Sequence, residues 1–138
     1  MSLDRLDHYT VRTPDLATSL RFYVEVLGLM SGPRPPFDFP GAWLYAGERE
    51  AAQPVVHLVG IEGGGLEDYL GDRPVDLRGG TGAVDHIAFT ATGWPALRAR
   101  CERLGVAWDE RTVPGLGPHQ VFLYDPTGVR IELNYAAA

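Results

Sequence analysis

In the segment LDHYTV, residues 6–11, Tyr9 and Val11 point to one side of an extended chain and His8 to the other, because successive strand side chains alternate between faces. A Thr-Pro-Asp cluster follows. From there Leu20, Val24 and Leu27 recur at helical spacing as far as Gly28, which predicts a helix with a polar start and a glycine stop. Short extended stretches are predicted beyond it at 29–32, 42–46 and 55–59. The order then repeats: VDHIAF alternates, Leu97, Cys101 and Leu104 form a second helical stripe ending at Gly105, and extended stretches follow at 107–112, 119–124 and 129–134. Laid one over the other, Asp7-His8 falls on Asp85-His86 at an offset of 86 − 8 = 78, and Leu27-Gly28 on Leu104-Gly105 at 104 − 27 = 77. The chain therefore reads as two related halves, each strand, helix and three strands, an α+β fold of two paired βαβββ modules. Module one covers about 4–60 and module two about 83–135 of a single domain spanning 1–138, joined by a connector at 61–82.

Local signals refine this outline. Four prolines between Ser31 and Gly41 make that stretch an extended loop or edge. One helical turn is expected at 66–70 within the Gly- and Asp-rich connector. Asp125-Pro126-Thr127-Gly128 predicts a tight hairpin. Pairing Asp125 with Gly128 puts Val121 opposite Glu132 and His119 opposite Asn134, with His119 on the Glu132 face and Gln120 on the other as a structural residue.

Composition narrows the chemistry. A chain of 138 residues and 15.1 kDa suffices for one core, and its net charge of −6 has the wrong sign for attraction to nucleic acid or anionic lipid. All twelve basic residues are arginine, which removes lysine Schiff-base and phosphate-loop chemistry. No apolar run approaches the length that crosses a bilayer, so the expectation is a cytoplasmic protein without a membrane partner. The single cysteine, Cys101, falls on an apolar helical stripe and reads as core.

All four histidines fall in predicted strands. His8 and His86 are repeat-equivalent, and the place of His57 in VVHLVG is held in the second half by Glu132, at an offset of 132 − 57 = 75. The flanks Tyr9, Val11, Val56, Leu58, Ile87, Phe89, Ile131 and Leu133 would cover the helices, leaving His8, His57, His86 and Glu132 on the opposite face. If the two half-sheets curve toward one another, these four converge as ligands of one divalent transition metal, Zn, Ni, Fe, Mn or Co. His119 lies about 7 Å along the strand from Glu132, within reach of a bound substrate as a general acid or base. Phe37, Phe39, Trp43 and Tyr45 are candidates for an aromatic pocket, and Arg12, Arg34 and Arg130 for its rim.

Taken together, LDHYTVRTPDLATSLRFYVEVLGL, VVHLVG, VDHIAF and DPTGVRIELNY resemble the vicinal oxygen chelate superfamily, which holds glyoxalase I, methylmalonyl-CoA epimerase, extradiol dioxygenases and fosfomycin- and bleomycin-resistance proteins. The resemblance implies a curved mixed-sheet cup with helices outside and a metal held by His8, His57, His86 and Glu132. It implies an enzyme of glyoxalase or epimerase type that binds a small substrate through adjacent oxygens, with Glu132 moving the proton. An Fe(II) ring-cleaving dioxygenase or a metal-free ligand-binding protein are the alternatives. Family habit also implies a homodimer. His57 departs from the glyoxalase pattern, which generally has Glu or Gln there.

Overall fold

A computed structural model describes residues 2–47, 53–71, 73, 78–112 and 119–136, and the chain divides into two compact units, Met1–Leu77 and Arg78–Ala138.

The first unit runs β1 (Tyr9–Thr13), α1 (Leu16–Arg21), a π-helical turn (Phe22–Val26), β2 (Met30–Gly32), β3 (Gly41–Tyr45), β4 (Pro54–Gly60) and a short α2 (Glu67–Leu70). Asp15 starts α1, its carboxylate accepting from the Thr18 amide at 3.1 Å and the Thr18 hydroxyl at 2.7 Å. The Ser19 hydroxyl lies 2.7 Å from that of Thr13 on β1, both buried, and this pins the helix to the sheet. The expected inward stripe of Leu20, Val24 and Leu27 is therefore displaced. Ser19, Phe22, Tyr23 and Val26 are buried, and the three predicted residues are only half-buried. The Leu27 amide bonds the Phe22 carbonyl at 3.2 Å, the wide turn that a 3.6-residue period does not anticipate.

The second unit runs β5 (Ile87–Ala91), α3 (Trp94–Leu104), β6 (Asp109–Thr112), β7 (His119–Tyr124) and β8 (Arg130–Tyr135). Leu97 and Cys101 are buried, while Leu104, in the last turn before left-handed Gly105, is exposed. Cys101 has no exposed surface, and burial pushes its thiol pKa up, as a packed core residue requires.

Each unit builds one four-stranded mixed sheet, ordered β1-β4-β3-β2 and β5-β8-β7-β6, in which the first strand is parallel to the last and the other pairs are antiparallel. The α+β class and the repeated βαβββ order are those predicted. The registers repeat as well: Thr10 and Trp43 flank His57 as Ala88 and Phe122 flank Glu132. One face of each sheet is apolar, with Val11, Leu44, Val56 and Leu58 buried in the first unit and Val121, Leu123, Ile131 and Leu133 in the second. Among the described residues no helix is long and apolar enough to cross a membrane.

The β7–β8 hairpin differs from expectation by one residue. Asp125 pairs with Val129, its amide bonding the Val129 carbonyl at 2.9 Å, and Gly128 adopts φ +91° in a three-residue loop. The Asp125 carboxylate holds this loop, accepting from the Thr127 amide and hydroxyl and from the Val129 amide at 2.7–2.9 Å. A type I turn followed by a left-handed glycine is the usual three-residue hairpin, and it shifts the pairing by one relative to a two-residue turn. His119 consequently pairs with Tyr135 and Val121 with Leu133, so His119 and Gln120 exchange the faces assigned to them from sequence.

Candidate metal centre

In the first unit His8 directly precedes β1 and His57 sits within β4, both on the face away from the core. Placing His8 and His86 inside strands overextended those strands by one residue. His8 Nδ1 lies 2.6 Å from the Asp7 carboxylate, which leaves Nε2 as the ring nitrogen that Asp7 does not engage. The same bond holds the Asp7 carboxyl below its usual range. The His57 ring lies between two others, its centroid 3.7 Å from that of His8 at 14° and 4.2 Å from that of Trp43 at 11°. His57 Nε2 is buried with no hydrogen-bond partner among the described residues. Burial, and after it the charge of His8, lowers the His57 pKa to about 4, so its imidazole is neutral at physiological pH. A neutral imidazole with an orphaned buried nitrogen is the donor a transition metal takes.

The rings continue past Trp43 to Phe37, which stacks on Phe39 at 4.9 Å, with the Arg34 guanidinium 5.3 and 5.1 Å from the two phenyl centroids. Phe39 is buried and Phe37 exposed, so only part of the expected aromatic set faces solvent. Tyr45 is buried, its hydroxyl donating to the Pro33 carbonyl.

In the second unit His86 Nδ1 lies 2.7 Å from the Asp85 carboxylate, repeating the Asp7–His8 arrangement, and its Nε2 is 3.2 Å from Glu132 Oε2. Asp85 is held below the usual carboxylate range first by His86 and then by Arg130, whose Nη1 is 3.3 Å away. Glu132 is 7 % exposed. Its other oxygen, Oε1, accepts from Gln120 Nε2 at 2.7 Å. A cavity of about 420 Å³ opens beside this pair, lined by Asp109, Glu110, Arg111, Phe122 and Arg130.

The structure thus brings the four predicted ligands together as two pairs, His8 with His57 and His86 with Glu132. Among the described residues no group of three or more His, Cys, Asp or Glu side chains gathers as a metal site. His119 does not join the His86–Glu132 pair of its own unit. It packs on the core-side face against Trp94 at 5.2 Å and Tyr135 at 5.8 Å, with Nε2 3.1 Å from Glu110. Its assignment to the Glu132 face followed from the one-residue register error. Gln120, read as structural, is the residue that touches Glu132. Only the three-residue length of the 126–128 loop could have revealed this in the sequence.

Two βαβββ modules of this topology, each with a pair of polar side chains on the face away from its core, define an α+β class of protein built from a repeated unit. Residues 5–133 match the profile of the Glyoxalase/Bleomycin resistance protein/Dioxygenase superfamily, and the chain belongs to that family. It is 31 % identical to a lactoylglutathione lyase of Schizosaccharomyces pombe over 96 % of this chain and 48 % of that protein, so it spans about half of that relative. It is 27 % identical to Glyoxylase I 4 of Arabidopsis thaliana over 96 % of this chain and 71 % of that protein. A structure from the mobile metagenome of V. pseudocholerae shares its fold at a TM-score of 0.69 and 19 % identity, covering 100 % and 98 % of the two chains.

Proposed function

We propose that the chain is a divalent-metal-dependent enzyme of glyoxalase I or epimerase type, with His8, His57, His86 and Glu132 as the ligands. The observation that carries this reading is the twice-repeated orientation of a histidine by the aspartate before it. Asp7 and Asp85 each hold Nδ1, so that Nε2, which in His86 lies 3.2 Å from Glu132 Oε2, is the nitrogen that would face a metal, the carboxylate–histidine–metal arrangement of many metal sites. His57, neutral with an unpartnered Nε2, and the buried Glu132 carboxylate complete a mixed nitrogen and oxygen donor set suited to Zn, Ni, Fe, Mn or Co.

A divalent ion held there supplies Lewis-acid stabilisation of enolate-type charge on the adjacent oxygens of a small substrate. The remaining steps belong to the chain. Glu132, the one carboxylate among the four proposed ligands, is the group that would accept and return the proton next to the carbonyl, its Oε1 anchored by Gln120. Trp43 and Phe122, at equivalent register beside His57 and Glu132, give the substrate apolar walls. The modules act as one domain of a homodimeric, cytoplasmic protein, with one ligand pair from each module. Anaerobic formation of lactoylglutathione from the glutathione adduct of the corresponding 2-oxoaldehyde by protein loaded with Ni, Co or Zn, absent after chelation, is the expected result. Failure across small oxygen-chelating substrates with all three metals would reject the isomerase reading.

One observation supports a second reading. Parallel stacking between His8 and Trp43 can keep His57 out of the ligand set, leaving the two-His-one-carboxylate group His8, His86 and Glu132 of an Fe(II) dioxygenase. Oxygen uptake with a catechol by the iron-loaded protein distinguishes it, and drug binding without metal would mark a sequestering protein instead.

A further inference from the structure

We infer that Arg111 and Gln120 form a positioning relay that fixes Glu132 as a one-oxygen ligand, an inference that rests on the metal-binding reading of Glu132. The donor and acceptor inventory leaves the relay a single orientation. Arg111 has only donors, and its Nε and Nη2 lie 3.0 and 2.8 Å from Gln120 Oε1. The amide oxygen must therefore face Arg111, and Gln120 Nε2 must face the other way. There it donates to Glu132 Oε1 at 2.7 Å and to Asn134 Oδ1 at 3.0 Å. All four hydrogen-bonding positions of the Gln120 amide are filled, so it cannot flip without setting its oxygen against the Glu132 carboxylate. With Oε1 engaged, Oε2 alone remains on the His86 side, 3.2 Å from Nε2.

The relay lies along adjacent strands. Arg111 pairs with Gln120 between β6 and β7, and Gln120 with Asn134 between β7 and β8, so the side chains share one sheet face. The first unit shows what the same backbone looks like without the relay. Extending the β2–β3 register by two places sets Arg34 level with Gly41, the counterparts of Arg111 and Gln120. Gly41 has no side-chain amide, and Arg34 Nη2, which would lie 3.1 Å from a Cβ at Gly41, donates to the Phe39 carbonyl instead. The relay occurs where the ligand is a carboxylate and is missing where it is the neutral His57. It thus serves the charge and orientation of Glu132 and is not a requirement of the sheet.

The test is Co(II) titration of the metal-depleted protein, read by the visible spectrum and by affinity, for the wild type, Gln120→Leu, Arg111→Met and the double variant. Gln120→Leu should lower Co(II) affinity about tenfold to a hundredfold and alter the spectrum, as loss of a residue behind a ligand does. Arg111→Met, at an exposed position, should give a smaller loss in the wild-type background and none beyond Gln120→Leu in the double variant. It also keeps the test alive if Gln120→Leu does not fold. Wild-type affinity and spectrum in folded Gln120→Leu, or additive losses in the double variant, would overturn the relay while leaving the metal site intact. Absence of Co(II) binding by the wild type would overturn the metal reading, and the relay with it.

Discussion

The two halves share a backbone order and differ in what surrounds the proposed ligand on the last strand of each. In the first, His57 lies between the rings of His8 and Trp43, close to Phe37 and Phe39 beyond Trp43, and its Nε2 has no partner among the described residues. In the second, Glu132 receives a hydrogen bond from Gln120, which is itself held by Arg111. The difference follows from charge. A neutral imidazole loses less on burial among apolar rings than a carboxylate does, and a buried carboxylate needs donors to replace lost water. A duplicated fold can thus diversify its donor set by changing the residues that flank the ligand, with the strand register unchanged.

The sharpest way to break the comparison is to remove a ligand from each half. Glu132→Ala and His86→Ala should each abolish metal retention, measured as metal per chain after gel filtration. His57→Ala should also reduce affinity and activity, and the four-ligand reading is wrong if both are unchanged.

Core truncation should test whether the halves are equally cohesive. Ile131→Ala and Leu58→Ala, both at fully or nearly fully buried positions, should each cost about 2–5 kcal/mol in urea unfolding. A much smaller loss in one would show that its sheet relaxes more readily.

The pH dependence should also separate the halves. The folded His57 pKa of about 4 lies below the ordinary 6.5, so between these values the unfolded chain binds a proton that the folded chain does not. The metal-free protein should therefore keep this stability contribution above pH 6.5 and lose it as pH falls toward 4. His57→Gln should flatten that slope in denaturant unfolding. An unchanged slope would mean that the ring is more hydrated than its stacked position indicates. The smallest effect belongs to a local feature of the first half: Asp15→Ala, which removes the α1 cap, should cost about 1 kcal/mol in thermal unfolding.

Much of this architecture was legible because duplication states each signal twice. The alternation around His8 and His86, the glycine stops at Gly28 and Gly105 and the offset linking His57 to Glu132 led to the βαβββ element order and to the neighbourhood of His8 with His57 and of His86 with Glu132. What escaped depended on single-residue geometry. The π turn at Phe22–Val26 and the Thr13–Ser19 bond set the inward face of the first helix, and neither leaves a periodic trace. The loop after Asp125 contains three residues instead of two, and that one residue exchanged His119 for Gln120 beside Glu132. A strand pattern tells which residues share a face, but the turn decides which face meets the partner strand's ligand.

The most direct test of the metal centre is elemental analysis of the untagged protein purified without chelator, followed by metal titration. The account predicts close to one equivalent of Ni, Co, Zn, Mn or Fe per chain, lost in Glu132→Ala. No metal as isolated and none taken up on titration would contradict it.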